Sequence, residues 1–193
     1  IALDSIELRA QNRRRYVITC IDLHSHFAWA WATRSHASLA TTQFLNLIQA
    51  VFPFPIEAVL TDNGSEFQRH FATELAHRLF THWHTFPKTP KMNAHCERFN
   101  RTLQEECIDY HYDQLFLDDP TDFNLELLRY LSWYNLERPH FSLTLPVPGR
   151  KTPRLLSPVQ FLHQIHQCNM YWPHTAPCRA AGDSLRWPRV HRQ

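Results

Sequence analysis

Hydrophobic and polar positions alternate along the first third of the chain and then change period. Residues 1 to 8 (IALDSIEL), 16 to 23 (YVITCIDL) and 26 to 32 (HFAWAWA) are short, β-branched or aromatic runs separated by QNRRR and HS. This pattern predicts a meander of three antiparallel strands. Residues 37 to 51 then place Leu39, Phe44, Leu47, Ile48 and Val51 near helical spacing, and Pro53 and Pro55 close that helix. IEAVLTDNG is a continuous apolar run ending in an acid and a turn, as expected of a strand buried on both faces.

FATELAHRLF reads as a helix, HWHTF as a short strand, 91 to 110 as a long helix, and TDFNLELLRYLSWYNLE as another that Thr121 would cap. The predicted order is βββ-α-β-α-β-α-α, an α/β domain. Prolines at 139, 146, 148, 153 and 158 predict an extended arm bearing Arg150, Lys151 and Arg154, ending in the helical segment VQFLHQIH. Residues 1–162 are expected to form one core. From Cys168 onward the chain shows neither period, and residues 163–193 are expected to be an irregular or disordered tail.

In the long helix Cys96, Phe99, Leu103, Cys107 and Tyr110 recur every three or four residues and define the stripe that faces the sheet. Glu97 lies about 100° round from Cys96, at the margin of that stripe, and Asn93 and Arg101 share its face. Asp4 lies in the first strand, Asp62 ends the buried strand, and Glu97 follows 35 positions later. Three carboxylates suit a hard cation such as Mg²⁺ or Mn²⁺, which takes oxygen ligands and keeps places for substrate phosphates. Two such ions would serve an in-line phosphoryl displacement.

Each acid also has a plain structural reading. Asp62 before Asn-Gly could be a turn residue, Glu97 a first-turn residue favoured by the helix dipole, and Asp4 an ordinary strand acid with Asp22 as a competitor. Glu66 reads as structural or as a substrate contact. Arg13, Arg14 and Arg15 read as solvated turn charges, whereas Lys88, Lys91, Arg98 and Arg101 cluster in sequence around Glu97 and are the better DNA-phosphate contacts. Lys91 and Asn93 are the leading candidates for substrate contact.

Bulk properties limit the alternatives. A chain of 193 residues, 44% apolar, can bury a sizeable core. With a formal net charge of +2, affinity for a polyanion must come from local clusters. Five cysteines without a CxxC pair argue against a disulfide framework, and no apolar run approaches a membrane span, so a cytoplasmic protein is expected. Ile1 already sits in a strand pattern, so the chain is expected to begin in mid-protein. His82 with His84, and His163 with His166 and Cys168, are the residues zinc could use, but neither group supplies four ligands at a recognised spacing.

LDSIEL, TDNGSEF, TPKMNAHCERFNRTLQEE and YNLERPHFSL together resemble the integrase catalytic core of bacterial insertion-sequence transposases, related to retroviral integrases. The resemblance runs from residue 1 to about residue 162. It implies an RNase H-like fold with a five-stranded mixed sheet flanked by helices, and a DDE triad of Asp4, Asp62 and Glu97. It also implies two Mg²⁺ or Mn²⁺ ions, DNA strand cleavage and strand transfer, element ends and target DNA as partners, and a homo-oligomer assembled on DNA. The competing readings are an RNase H-like nuclease that only hydrolyses and an inactive remnant serving as a DNA-binding scaffold.

Overall fold

The computed structural model describes residues 1–10, 12–85 and 94–171. Its centre is a five-stranded sheet in the order β3-β2-β1-β4-β5, formed by β1 (Ala2–Ala10), β2 (Arg13–Ile21), β3 (Ala28–Thr33), β4 (Ala58–Thr61) and β5 (Thr81–His84). The expected meander is present: β1 pairs antiparallel with β2, and β2 with β3, while β4 and β5 add parallel to β1. Asn12 closes the first hairpin with φ 65°, a left-handed conformation that asparagine tolerates. β2 has a neighbour on each side and is buried from Arg15 to Ile21, which explains its unbroken apolar run.

Alternate side chains feed two cores. Ala2, Val17 and Ile21 face α3 (Ala94–Leu103) and α5 (Thr121–Leu136), packing on Phe99, Leu103, Phe123 and Leu127. Leu3, Ile18 and Cys20 face α1 (Ser38–Val51) and α2 (His70–His77) on the opposite side. The period of two in the strands therefore separates two helical layers. Cys20, Cys96 and Cys107 are free and buried, and burial raises each thiol, Cys107 to about 12.

Several expectations need correction. Within α1 the buried face is Thr41, Phe44, Leu45 and Ile48, and Leu39 is exposed. The stripe Cys96, Phe99, Leu103 and Cys107 is buried, but Tyr110 is 79% exposed and Ile108 takes its place. The cause is a π turn at Gln104–Ile108, which widens the helix by one residue and rotates everything after it. The chain continues through a 3₁₀ turn at Asp109–His111 into the short α4 (Tyr112–Leu115).

Thr121 does not cap α5. It lies inside the helix, and its N–H and hydroxyl both donate to Asp119 Oδ1. Arg15 is buried, not solvated: its guanidinium donates to the carbonyls of Arg14, Leu115 and Leu117, satisfying acceptors at the end of α4. The proline-rich arm contains a hairpin of β6 (His140–Leu145) and β7 (Arg154–Leu156), and α6 (Pro158–Tyr171) is helical beyond residue 162.

Candidate active site

Strand register sets the first two acids side by side. Ala2 pairs with Leu60 across the parallel β1–β4 junction, so Asp4 and Asp62, each two residues further on, come to the same level on adjacent strands. Asp4 is half-buried. Its Oδ1 accepts the Ser5 N–H at 2.8 Å and its Oδ2 accepts Asn100 Nδ2 at 2.9 Å. Asp62 Oδ1 accepts the Gly64 N–H at 2.9 Å, which fixes the turn after β4.

The third acid expected from the sequence, Glu97, lies on α3. Cys96 and Phe99 are buried against the sheet, and Cys96 Sγ lies 3.9 Å from the Ala2 carbonyl, so the first turns of α3 run beside the start of β1. Glu97 is exposed at the margin of that contact, one turn from Asn100. Asn100 does more than line the seam. Its Oδ1 accepts Thr19 Oγ1 at 2.7 Å while its amide donates to Asp4, so β2, α3 and the first acid are tied together.

The electrostatics record the convergence. Burial pushes the Asp4 carboxyl up to about 6, the charges of Asp62, Glu66 and Glu97 add to that, and the Ser5 hydrogen bond opposes it. The larger cause is the loss of water around the carboxyl, and the smaller one is the presence of other acids near it. Asp22 is not among its neighbours; its Oδ2 accepts Ser25 N and Ser25 Oγ, each at 2.7 Å, and braces the β2–β3 turn.

Asp4, Asp62 and Glu97 offer carboxylate oxygens, and the Cys96 thiol near them is buried with its proton held on, so the donor set fits a hard divalent cation. Among the described residues no three His, Cys, Asp or Glu side chains stand close enough to enclose an ion unaided. The protein can offer part of a coordination sphere and leave positions for phosphate oxygens and water. A groove of about 680 Å³ opens at Glu97, lined also by Ser5, Glu7, Asn100, Arg101 and Glu105 among others.

Arg101 shares that groove with Glu97, whereas Arg98 lies beside His26 and His95, whose basicity is lowered by burial and, in part, by its charge. Lys88, Lys91 and Asn93 lie outside the described residues. The rings of His82 and His84 lie 4.1 Å apart and tilted by 47°, but His82 Nε2 is engaged with Thr61 Oγ1 at 2.9 Å and no third ligand joins them among the described residues. His163 and His166 are exposed on α6.

Sequence reasoning undervalued Asn100, Thr19 and Glu66. Glu66 is 5% exposed and pairs with Ser5 and His36. The only signal for it is its place four residues after Asp62.

No curated protein sequence matches this chain. The fold is shared with solved retroviral integrase structures. The HTLV-2 integrase catalytic core domain, solved in complex with magnesium in a trimeric form, aligns with a TM-score of 0.58 at 15% identity, over 72% of this chain and 86% of that one. A BIV integrase catalytic core domain aligns with a TM-score of 0.57 at 17% identity, over 86% of this chain and 97% of that one. A simian T-cell lymphotropic virus intasome in complex with the PP2A regulatory subunit B56 gamma aligns with a TM-score of 0.63 at 17% identity, over 94% of this chain and 57% of that one. Among the described residues no helix is long and apolar enough to cross a membrane. Two family models, both described as integrase core domain, match residues 2–90 and 80–153, so that together they span most of the chain, and the protein belongs to the integrase core family.

Proposed function

We propose that the chain is the catalytic core of an insertion-sequence transposase that cleaves DNA and joins the freed 3′ end to target DNA, with Asp4, Asp62 and Glu97 as its acid triad. The observation that carries this reading is the geometry of the β1–β4 seam: Ala2 pairs with Leu60, two residues before each aspartate, and Asn100 on α3, one turn from Glu97, donates to Asp4 Oδ2 at 2.9 Å. Structural acids in turns and helix starts have no reason to converge from three elements onto one buried position.

In the first reaction a water oxygen attacks a phosphodiester phosphorus and the 3′ oxygen leaves as a hydroxyl; in the second that 3′ hydroxyl attacks the phosphorus of a target phosphodiester, losing its proton, and the target strand's own 3′ oxygen leaves and takes up a proton. One or two Mg²⁺ or Mn²⁺ ions held by Asp4, Asp62 and Glu97 would stabilise the charge on the phosphate and favour the attacking oxygen. The remaining work falls to the chain. Ser5 N–H and Asn100 orient Asp4, and the Gly64 N–H orients Asp62. Arg101, beside Glu97 in the groove, and Lys88, Lys91, Asn93 and Arg98 would contact the DNA backbone. Assembly as a homo-oligomer on DNA belongs to the same reading, which the intasome likeness supports.

The test is a Mn²⁺-dependent assay with a short donor duplex and a target plasmid. Joined product is expected, together with weak, salt-sensitive DNA binding because phosphate contacts dominate. Nicks without joined product would make the chain a hydrolase, and no metal-dependent reaction with the complete protein would remove the reading.

A further inference from the structure

Asp4 and Asp62 sit on strands that are barely joined. β1 and β4 share the single register pair Ala2 and Leu60, supported by Leu60 N–H to the Ile1 carbonyl at 2.8 Å and the Ile1 amino group to the Ala58 carbonyl at 3.0 Å. All of these bonds lie on one side of the acids. Beyond them, among the described residues, the hydrogen bond that reconnects β1 to the turn after β4 is Ser5 Oγ donating to Glu66 Oε1 at 2.8 Å. His36 Nε2 lies 3.0 Å from the same oxygen and 3.2 Å from Ser5 Oγ, with its ring stacked on Tyr16 at 4.5 Å. Thr41 Oγ1 donates to the Glu66 carbonyl at 2.7 Å, which anchors the backbone of the turn to α1.

The turn is shaped to seat this carboxylate. Gly64 has φ −58°, a conformation open to any residue, so its backbone does not call for glycine. What calls for it is space: a Cβ on Gly64 would lie 2.5 to 2.8 Å from the Glu66 carboxyl atoms. A methyl group there would have to drive the carboxylate out of its place between Ser5 and His36. Gly64 thus combines two duties, since its N–H also holds Asp62.

We propose that Glu66 is a positioning residue whose carboxylate, hooked by Ser5 and His36, fixes the separation of Asp4 from the Asp62 turn and thereby sets the affinity of that pair of acids for a divalent cation. The proposal rests on the reading of Asp4 and Asp62 as metal-binding acids. Glu66 is no ligand in it. Its described side-chain contacts both fall on Oε1, and it acts by clamping two strands whose own ladder stops short of the site.

The test is Mn²⁺ binding by the 193-residue chain, followed by electron paramagnetic resonance, with melting curves and Mn²⁺-dependent nicking in parallel. Ser5→Ala, Glu66→Ala and Gly64→Ala are each expected to weaken Mn²⁺ binding by about 10–100-fold, the usual cost of removing a group that orients a metal ligand. Ser5→Ala and Glu66→Ala should be non-additive, because they break the same bond. Glu66→Gln, whose amide oxygen still accepts from Ser5, should recover part of the loss. Folded variants that all bind Mn²⁺ like wild type would overturn the proposal while leaving the triad intact. Glu66→Gln as damaging as Glu66→Ala, with Ser5→Ala harmless, would also overturn it, in favour of Glu66 as a ligand. Should Glu66→Ala fail to fold, Ser5→Ala and Gly64→Ala decide. A wild type that neither binds Mn²⁺ nor nicks DNA removes the triad reading itself, and the clamp with it.

Discussion

Buried polar groups are used in opposite ways at the β3 edge and at the β1–β4 seam. Along β3, α5 acts as a substitute strand: Asn135 accepts from Ala28 N–H at 2.9 Å and donates to its carbonyl at 2.8 Å, and Asn124 does the same for Ala32 at 2.8 and 3.2 Å. Two side-chain amides thus satisfy an edge that would otherwise be open to pairing with another chain. At the seam, burial raises the Asp4 carboxyl to about 6, and the charges of Asp62, Glu66 and Glu97 add to the shift. One region spends its polar groups on stability. The other holds unbalanced charge at the expense of stability, as a site that awaits cations and phosphates does.

The largest expected effect lies at the seam. Glu97→Gln keeps shape and helix propensity but removes the charge, so nicking should fall by about 10³-fold, equivalent to the several kcal/mol a metal-ligating acid supplies. Its melting temperature should be unchanged or slightly higher, because repulsion on Asp4 is relieved. Near wild-type nicking by this variant would break the comparison and remove Glu97 from the site.

Asn135→Ala should show the reverse pattern. It strands the N–H and carbonyl of Ala28 in a buried position, at a cost of about 2–4 kcal/mol, which lowers the melting temperature by roughly 4–15 °C in a chain of this size. Asn124→Ala should cost a similar amount. The two losses should add, since eleven helical residues separate the sites by about 16 Å. Calorimetry that finds either variant as stable as wild type would show that the edge is not sealed by these amides.

A smaller effect distinguishes the regions by pH. The folded Asp4 carboxyl titrates near 6, above its ordinary 3.8, chiefly because it is buried. Its proton is therefore bound more tightly in the folded state, and the stabilisation is fully present below about pH 4 and lost as pH rises through 6. Relative to Asp4→Asn, the metal-free wild type should gain stability on acidification from pH 7 to 4, and stabilisation by added Mn²⁺ should grow over the reverse interval. Melting curves of the two proteins that remain parallel across that range would mean that the seam is not under charge strain.

The smallest effect tests how α3 carries Glu97 to the seam. Tyr110 extends the apolar spacing but is exposed after the π turn, so Tyr110→Ser should change stability by no more than about 0.5 kcal/mol. A loss of several kcal/mol would put Tyr110 back on the buried face and the helix in a different phase.

Much of the fold is legible in local pattern. The run YVITCI marks a strand buried on both faces, and Cys96, Phe99, Leu103 and Cys107 mark the face that α3 turns to the sheet. The site is legible in part: the acid at the end of β4 and the glutamate at the margin of the α3 stripe follow from spacing. The π turn is not, because inserting a residue leaves the apolar count unchanged and only alters which side chain meets the core. Arg13 to Arg15 look alike in sequence, yet Arg15 alone is buried, by carbonyls about 100 residues away.

The sequence by itself determined the order of the five sheet strands and the helices between them, most of the faces they bury and the presence of three acids in chemically suggestive places, because period and residue type act over a few residues. Only the tertiary structure decided that Asp22 braces a turn while Asp4 bonds to Asn100, that Ser5 bonds to Glu66, and that Asn124 and Asn135 close the sheet. Those assignments depend on which backbone groups and charges meet across 60 to 110 residues of chain. Such meetings are set by sheet register and helix phase, and a side chain's own neighbours in sequence carry no trace of them.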